Sequence, residues 1–189
     1  MFRYLSSVLA LGVLLALSAP AQDKASDSRD SLNVQSPIGD LHLGKDADAH
    51  KTGLPLYPGA RPRQEKDNDP LNFGILTESF GIKVVIAKYE SGDAPDKIVA
   101  YYRDKLTKKY GKVLECRTGE HDGDAHADIN DDKNSSKLKC EGDNSGPVTE
   151  LKVGTQDNQR VVAIEPKDGN AGSEFALVYV YARGKQGDI

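Results

Sequence analysis

Residues Glu174–Ala182 have the sequence EFALVYVYA, and this stretch is a clear indication of β-structure. Large side chains at the odd positions alternate with Ala and Val, which is the two-residue period of a β-strand. Short polar turns separate this strand from earlier ones, so the chain predicts an antiparallel meander. The earlier strands are predicted at Phe73–Phe80, Ile82–Tyr89, Lys112–Cys116, Lys137–Glu141, Val148–Val153 and Arg160–Glu165.

One helix is predicted over Asp93–Tyr110, because apolar residues recur there at three- and four-residue spacing. Asp93 is placed to cap the first free amide groups, and Pro95 suits the first turn. Gly111 is placed for a left-handed helix end. We therefore expect an α+β fold: a mainly antiparallel sheet of about six to seven strands, with one long helix packed on one face.

The first 21 residues have the form of a secretory signal peptide. Arg3 precedes an apolar run from Leu5 to Leu17, and the segment ends in Ala-Pro-Ala at Ala21. A membrane-spanning helix needs about 20 apolar residues, and this run is shorter. We expect export with cleavage near Ala21, to the periplasm or the outside of the cell, with an uncleaved anchor as the alternative.

The remaining chain divides into two parts. Residues 22–52 are predicted to be a polar, largely disordered lead-in, in which Val34–Leu43 is a candidate edge strand. Residues 53–189 are predicted to form a single α+β domain. The net charge of −4, from 25 basic and 29 acidic residues, argues against a general nucleic-acid binder. No stable membrane span is expected after cleavage.

The chain has two cysteines, Cys116 and Cys140. Since an exported protein meets oxidising conditions, one disulfide is the simplest prediction, with two free thiols or a metal-binding pair as alternatives.

The segment Thr118–Ser136 between the cysteines holds six acidic residues and two histidines. Its alternating acids resemble the start of a calcium loop, but Ala127 stands where glycine is needed and Lys133 where the bidentate Glu belongs. Zinc or copper would suit the histidines better. A solvated hairpin insertion that binds no metal is the other interpretation. The candidate metal ligands are His121, Asp122, Asp124, His126 and Asp128.

Three stretches together resemble a group of uncharacterised exported bacterial proteins. They are Gly53–Ala60 (GLPLYPGA), Lys88–Tyr102, which includes a capped helix start and a Tyr-Tyr pair, and Leu151–Arg160 together with the closing strand Phe175–Tyr181. The resemblance implies export from a bacterium. It implies no activity, cofactor or catalytic residue.

The sequence predicts a non-catalytic partner-binding or envelope-associated module, whose partner is an envelope protein or a small ligand. No cofactor is expected unless the acidic segment binds a divalent metal, which is the first alternative function. A small hydrolase with an unrecognised site is the second alternative, so enzymatic activity is left open. No catalytic residue is assigned. The residues predicted for a ligand or partner surface are Tyr57, Tyr101, Asp157, Asn158 and Arg160.

Overall fold

The computed structural model describes residues 26–28, 31–63, 70–119, 137–167 and 171–184. Within these ranges the chain forms ten strands and two helices. The helices are α1 (Ala49–Thr52) and α2 (Pro95–Tyr110). The strands are β1 (Ser26–Ser28), β2 (Ser31–Ser36), β3 (Gly39–Gly44), β4 (Arg61–Pro62), β5 (Leu71–Leu76), β6 (Gly81–Ser91), β7 (Leu114–Thr118), β8 (Val148–Thr155), β9 (Asn158–Pro166) and β10 (Ser173–Arg183).

All the described strands belong to one antiparallel sheet. Nine of them lie in the order β1-β2-β3-β5-β6-β10-β9-β8-β7, and β4 pairs with the end of β6 beyond β5. The longest pairing joins β6 to β10, with Phe175 opposite Tyr89 and Leu177 opposite Ala87. This pairing lies at the centre of the sheet, so Glu174–Ala182 forms part of its middle.

The predicted α+β fold with one long helix is wrong, because the protein is mostly β. The sheet is larger than the expected six to seven strands, and the two helices are short, with 4 and 16 residues. The strand predicted over Lys137–Glu141 is also absent from the described structure, where those residues have irregular backbone. The extra strands come from a part of the chain that was predicted to be largely disordered.

Strands β2 and β3 lie within that lead-in and extend the sheet of the folded domain. Leu43 of β3 lies opposite both Leu32 of β2 and Phe73 of β5. The apolar residues of β2 and β3 have too few apolar neighbours in the sequence to predict a core. The pairing register brings these residues side by side on one face, where cross-strand contacts stabilise the hairpin. The candidate edge strand at Val34–Leu43 is thus two strands joined by a turn.

Helix α2 begins differently from the prediction. Its N-cap is Ala94, which makes no side-chain cap hydrogen bond. The Asp93 carboxylate is engaged elsewhere: it accepts hydrogen bonds from the Tyr57 hydroxyl at 2.7 Å and from Lys97 Nζ at 2.9 Å. The helix ends as predicted at Gly111, whose φ of 81° is in the left-handed range that favours glycine.

The main hydrophobic core lies between α2 and one face of the sheet, which we call the helix side. The α2 residues Ile98, Val99, Tyr102 and Leu106 are buried there. They pack with alternate residues of β6, β8, β9 and β10, together with Leu54 and Tyr57 of the segment that follows α1. The core residues from the sheet are Ala87, Tyr89, Leu151, Val153, Val162, Ile164, Phe175 and Leu177.

The opposite face of the sheet is apolar over β2, β3, β5 and β6, whereas Glu150 and Lys152 of β8 form an ion pair on it. Strand alternation directs a second set of residues there, and Val161, Val178 and Val180 form a smaller buried cluster that includes no helical residue. On β2, β3, β5 and β6 the side chains of this face are partly exposed, most of all at Leu43 and Leu32. We call this set the open face: Leu32, Val34, Leu41, Leu43, Leu71, Phe73, Ile75, Ile82, Val84 and Ile86.

Candidate binding surfaces

Tyrosine hydroxyl groups hold the segment from Ala49 to Tyr57 against the helix side. The Tyr102 hydroxyl donates to the Pro55 carbonyl at 3.0 Å, and the Tyr101 hydroxyl donates to the Leu56 carbonyl at 3.2 Å. The Tyr89 hydroxyl accepts from the Ala49 amide at 2.8 Å. Pro55 has no amide hydrogen and interrupts regular backbone pairing, so tyrosine hydroxyl groups satisfy backbone groups of this segment.

The rings of these tyrosines surround Phe175. Tyr89 stacks on it at a centroid distance of 5.7 Å, and Tyr57 and Tyr102 contact it at 6.3 and 5.9 Å. Such ring pairs add to the stabilisation from burial. Burial raises the pKa of Tyr89 and of Tyr102, while the hydrogen bond to Asp93 raises the pKa of Tyr57. These hydroxyls therefore remain protonated at neutral pH and act as fixed hydrogen-bonding groups.

The structure divides the predicted ligand surface into two groups. Tyr57 and Tyr101 contact each other edge to face at 5.1 Å, next to the first half of α2, and Tyr57 is buried in the core. The other group is at the β8–β9 hairpin, beside the last residue of α2. There Arg160 Nη1 donates to the Asn158 side chain at 3.3 Å, and Asp157 occupies the exposed turn.

Arg160 is held by aromatic rings. Its guanidinium carbon lies 4.4 Å from the Tyr179 ring centre and 5.6 Å from that of Tyr110. Its Nε is buried and has no hydrogen-bond partner in the described structure. Cation–π contacts of this kind stabilise a charge that has lost part of its hydration. Arg160 lies near the start of β9, and its ring partners come from distant parts of the chain.

A cleft of about 850 Å³ lies between α1, the segment after it and the second half of α2. Its lining is mainly apolar, and Lys105 and Lys109 of α2 reach it from one side. Lys109 Nζ donates to the Gly53 carbonyl at 3.1 Å. We call this space the α1–α2 cleft. The apolar lining includes Ala49, Leu54, Leu56, Tyr89, Leu106 and Tyr110.

The sequence did not predict this cleft, because α1 belongs to residues 22–52, which were predicted to be largely disordered. One signal was present. Lys97 and Lys108 each have an aspartate four residues earlier on the chain, whereas Lys105 and Lys109 do not. Pairs of opposite charge at this spacing stabilise a helix, and Lys105 and Lys109 take part in none among the described residues.

Charged side chains border the open face at one end. Arg63 pairs with Glu174 at 2.6 Å and approaches Glu165 at 4.0 Å. Glu90 pairs with Lys167 and lies 3.5 Å from Arg61, and the bond to Lys167 lowers the Glu90 pKa. An apolar centre beside a polar rim is the usual composition of a protein–protein interface.

Cys116 and Cys140 form the predicted disulfide, with their Cα atoms 5.4 Å apart. It ties β7 to the irregular segment before β8. Cys116 lies opposite Glu150 in the ladder, on the same side of the sheet as the open face. The five predicted metal ligands fall in residues 120–136, outside the described residues. Within the described ranges, no group of three or more His, Cys, Asp or Glu side chains is arranged to hold a metal ion.

No protein-family model, no curated protein and no solved structure matches this chain. The resemblance to exported bacterial proteins therefore stays a prediction. The fold and the disulfide define a mostly-β protein with one cross-linked sheet. Across the described ranges, no helix has the length and apolar character required to cross a membrane.

Proposed function

We propose that the protein is an exported, non-catalytic binding module that holds a partner or envelope component on the open face. The observation that carries this proposal is the exposure of apolar side chains on β2 and β3. Leu43 is 45% exposed and Leu32 is 39% exposed, and both belong to one continuous apolar face. A contiguous apolar surface on a folded protein marks an interaction site more often than a scatter of single residues does.

The surroundings of the open face support the same proposal. The salt bridges of Arg63 and Glu90 supply charged groups at its rim, where they would favour one orientation of a partner. The long antiparallel pairing of β5 with β6 gives the face a rigid base. A rigid apolar surface binds with little loss of conformational entropy, which favours recognition of a preformed partner surface.

Export is supported by the disulfide, because such bonds persist in oxidising compartments. The signal-like segment at residues 1–21 points the same way. Mass spectrometry of the protein recovered from its native cells tests this part directly. A mature chain that begins near residue 22 supports export with cleavage, and a full-length chain retained inside the cell contradicts it.

The partner surface is tested by site-specific photocrosslinking in the native cells. A photoreactive amino acid at Leu43 reports on the open face. The same group at Leu76 is the matched control, because Leu76 is 43% exposed but belongs to the helix side of neighbouring β5. We expect an adduct of defined mass from position 43 that is absent from position 76. No adduct at either position, or equal adducts at both, would contradict the proposal.

A further inference from the structure

The α1–α2 cleft combines an apolar floor with basic groups on one side. Leu54 and Leu106 are almost fully buried at its base, and Leu56, 44% exposed, lies at its rim. Clefts of about 300–1,000 Å³ hold most small-molecule ligands, and the volume of about 850 Å³ falls in this range. The floor suits a hydrocarbon chain or ring.

The lysines of α2 differ in how their charges are compensated. Lys97 pairs with Asp93 at 2.9 Å, and Lys108 pairs with Asp104 at 2.8 Å. Lys105 and Lys109 form no ion pair with any residue that the structure describes. Lys105 lies 5.5 Å from the Tyr101 ring centre, and Lys109 lies 5.2 Å from that of Tyr110 and donates to the Gly53 carbonyl.

Lys105 and Lys109 are also four residues apart, so their like charges lie on the same helix face and repel each other. The negative end of the helix dipole offsets part of this cost. Arg160 adds a third positive charge close by, because its guanidinium contacts Tyr110 and lies beside Gly53, both of which line the cleft. An anion placed between the two lysines would relieve their repulsion.

We propose that the α1–α2 cleft binds an anionic amphiphile, with its hydrocarbon part on the apolar floor and its anionic head at Lys105 and Lys109. The ligand class is a single carboxylate, sulfate or phosphate group attached to an aliphatic or aromatic body. Asp48, the acid that lines the cleft, caps α1 through Oδ1 and lies at the opposite side from the α2 lysines. The charge distribution therefore also sets the direction in which the ligand lies. This site is separate from the open face.

The test is a calorimetric titration of the mature protein with dodecanoate below its micelle concentration. Dodecyltrimethylammonium, which has the same tail and the opposite charge, and acetate, which is the head group alone, are the ligand controls. We expect saturable binding of dodecanoate, weaker binding of the cation and none of acetate at the same concentration. Equal binding of the anion and the cation, or no binding of dodecanoate, would overturn the proposal.

Matched variants locate the site. Lys105→Gln with Lys109→Gln removes the unpaired charges, and we expect the dodecanoate affinity to fall about tenfold. Lys97→Gln with Lys108→Gln removes the same net charge from the same helix and should leave the affinity within about twofold. An equal loss in both double variants would indicate general attraction to a basic surface and would contradict a defined site.

The lysine changes could also affect folding, because Lys109 donates a hydrogen bond to the Gly53 carbonyl. A third variant therefore tests the site without changing a lysine. Leu56→Glu places a negative charge at the apolar rim, and we expect it to weaken dodecanoate binding while the circular dichroism spectrum stays unchanged. Leu76→Glu, at a similarly exposed leucine outside the cleft, should have no effect. Unchanged binding in Leu56→Glu would contradict the placement of the tail.

Discussion

The two faces of the same sheet differ in what covers them. On the helix side, α1, α2 and the segment between α1 and β4 enclose an aromatic core centred on Phe175. On the other side, aliphatic residues of β2, β3, β5 and β6 form the open face, which has no described helix against it. Among the described residues, α2 buries side chains on the helix side only, whereas Leu32 and Leu43 on the open face stay partly exposed to solvent.

The largest expected effect comes from truncating one aromatic residue on each face. Phe175→Ala removes a buried ring that contacts three tyrosines, and we expect a loss of about 3–5 kcal/mol in the free energy of unfolding. Phe73→Ala on the open face removes a ring that is only partly buried, and the expected loss is smaller, about 1–2 kcal/mol. Urea denaturation measures both. Equal losses would show that the open face is covered as well as the helix side.

Removal of the disulfide is expected to have the second largest effect on stability. Cys116→Ala with Cys140→Ala releases a chain closure of 24 residues, and we expect a loss of about 3 kcal/mol. Reduction of the wild-type protein should reproduce this loss, whereas the reductant should leave the double variant unchanged. If the loss is below about 1 kcal/mol, the cross-link contributes little on this side of the sheet.

The adjacent tyrosines of α2 allow a smaller and more selective comparison. Tyr102→Phe removes a fully buried hydroxyl and leaves the Pro55 carbonyl without its donor, so we expect a loss of about 1–2 kcal/mol. Tyr101→Phe removes a hydroxyl that bonds the Leu56 carbonyl at an exposed position, and the loss should be below about 0.5 kcal/mol. Thermal unfolding distinguishes the two. A larger effect at Tyr101 would contradict the burial pattern.

The smallest expected effect on stability is the electrostatic contribution of Asp46. The hydrogen bond from Lys51 is the main cause that lowers the pKa of Asp46 to about 2, from an ordinary value of 3.8, and Asn72 adds a second bond. Since the folded state holds this proton less tightly than the unfolded state, the contribution is present above pH 4 and is lost as the pH falls toward 2.

Asp46→Asn should remove the part of the acid sensitivity that this carboxylate causes. Near neutral pH we expect the free energy of unfolding to fall by about 1 kcal/mol or less, because the carboxylate is partly exposed. Unfolding curves at pH 6, 4 and 2.5 measure it, and added salt should reduce the difference. An identical pH dependence in wild type and variant would contradict the role of this group.

Part of this architecture could be predicted from local sequence. The alternation in β10 and the apolar stripe of α2 are strong periodic signals, and both segments lie where they were expected. The cysteine pairing could be predicted because the chain has two cysteines and its first residues predict export. The fold class could not be predicted in the same way, because the short strands β2 and β3 have polar residues between their apolar ones and gain their stability from the neighbouring strand.

The candidate binding surfaces were predicted only in outline. Tyr101 and Arg160 were named for their chemistry, but Tyr57 proved to be a core residue. The α1–α2 cleft and the open face each join parts of the chain that are separated by about 30 or more residues. No local pattern specifies which of these segments meet.

The sequence by itself determined the period of each long element, the end of α2 at Gly111 and the chemistry available at each position, because these depend on residues only a few positions apart. Only the tertiary structure decided that the lead-in joins the sheet, which face of the sheet the helices cover and which distant segments lie beside the lysines of α2. Those outcomes depend on pairing between distant segments, where the free energy comes from shared burial and hydrogen bonding.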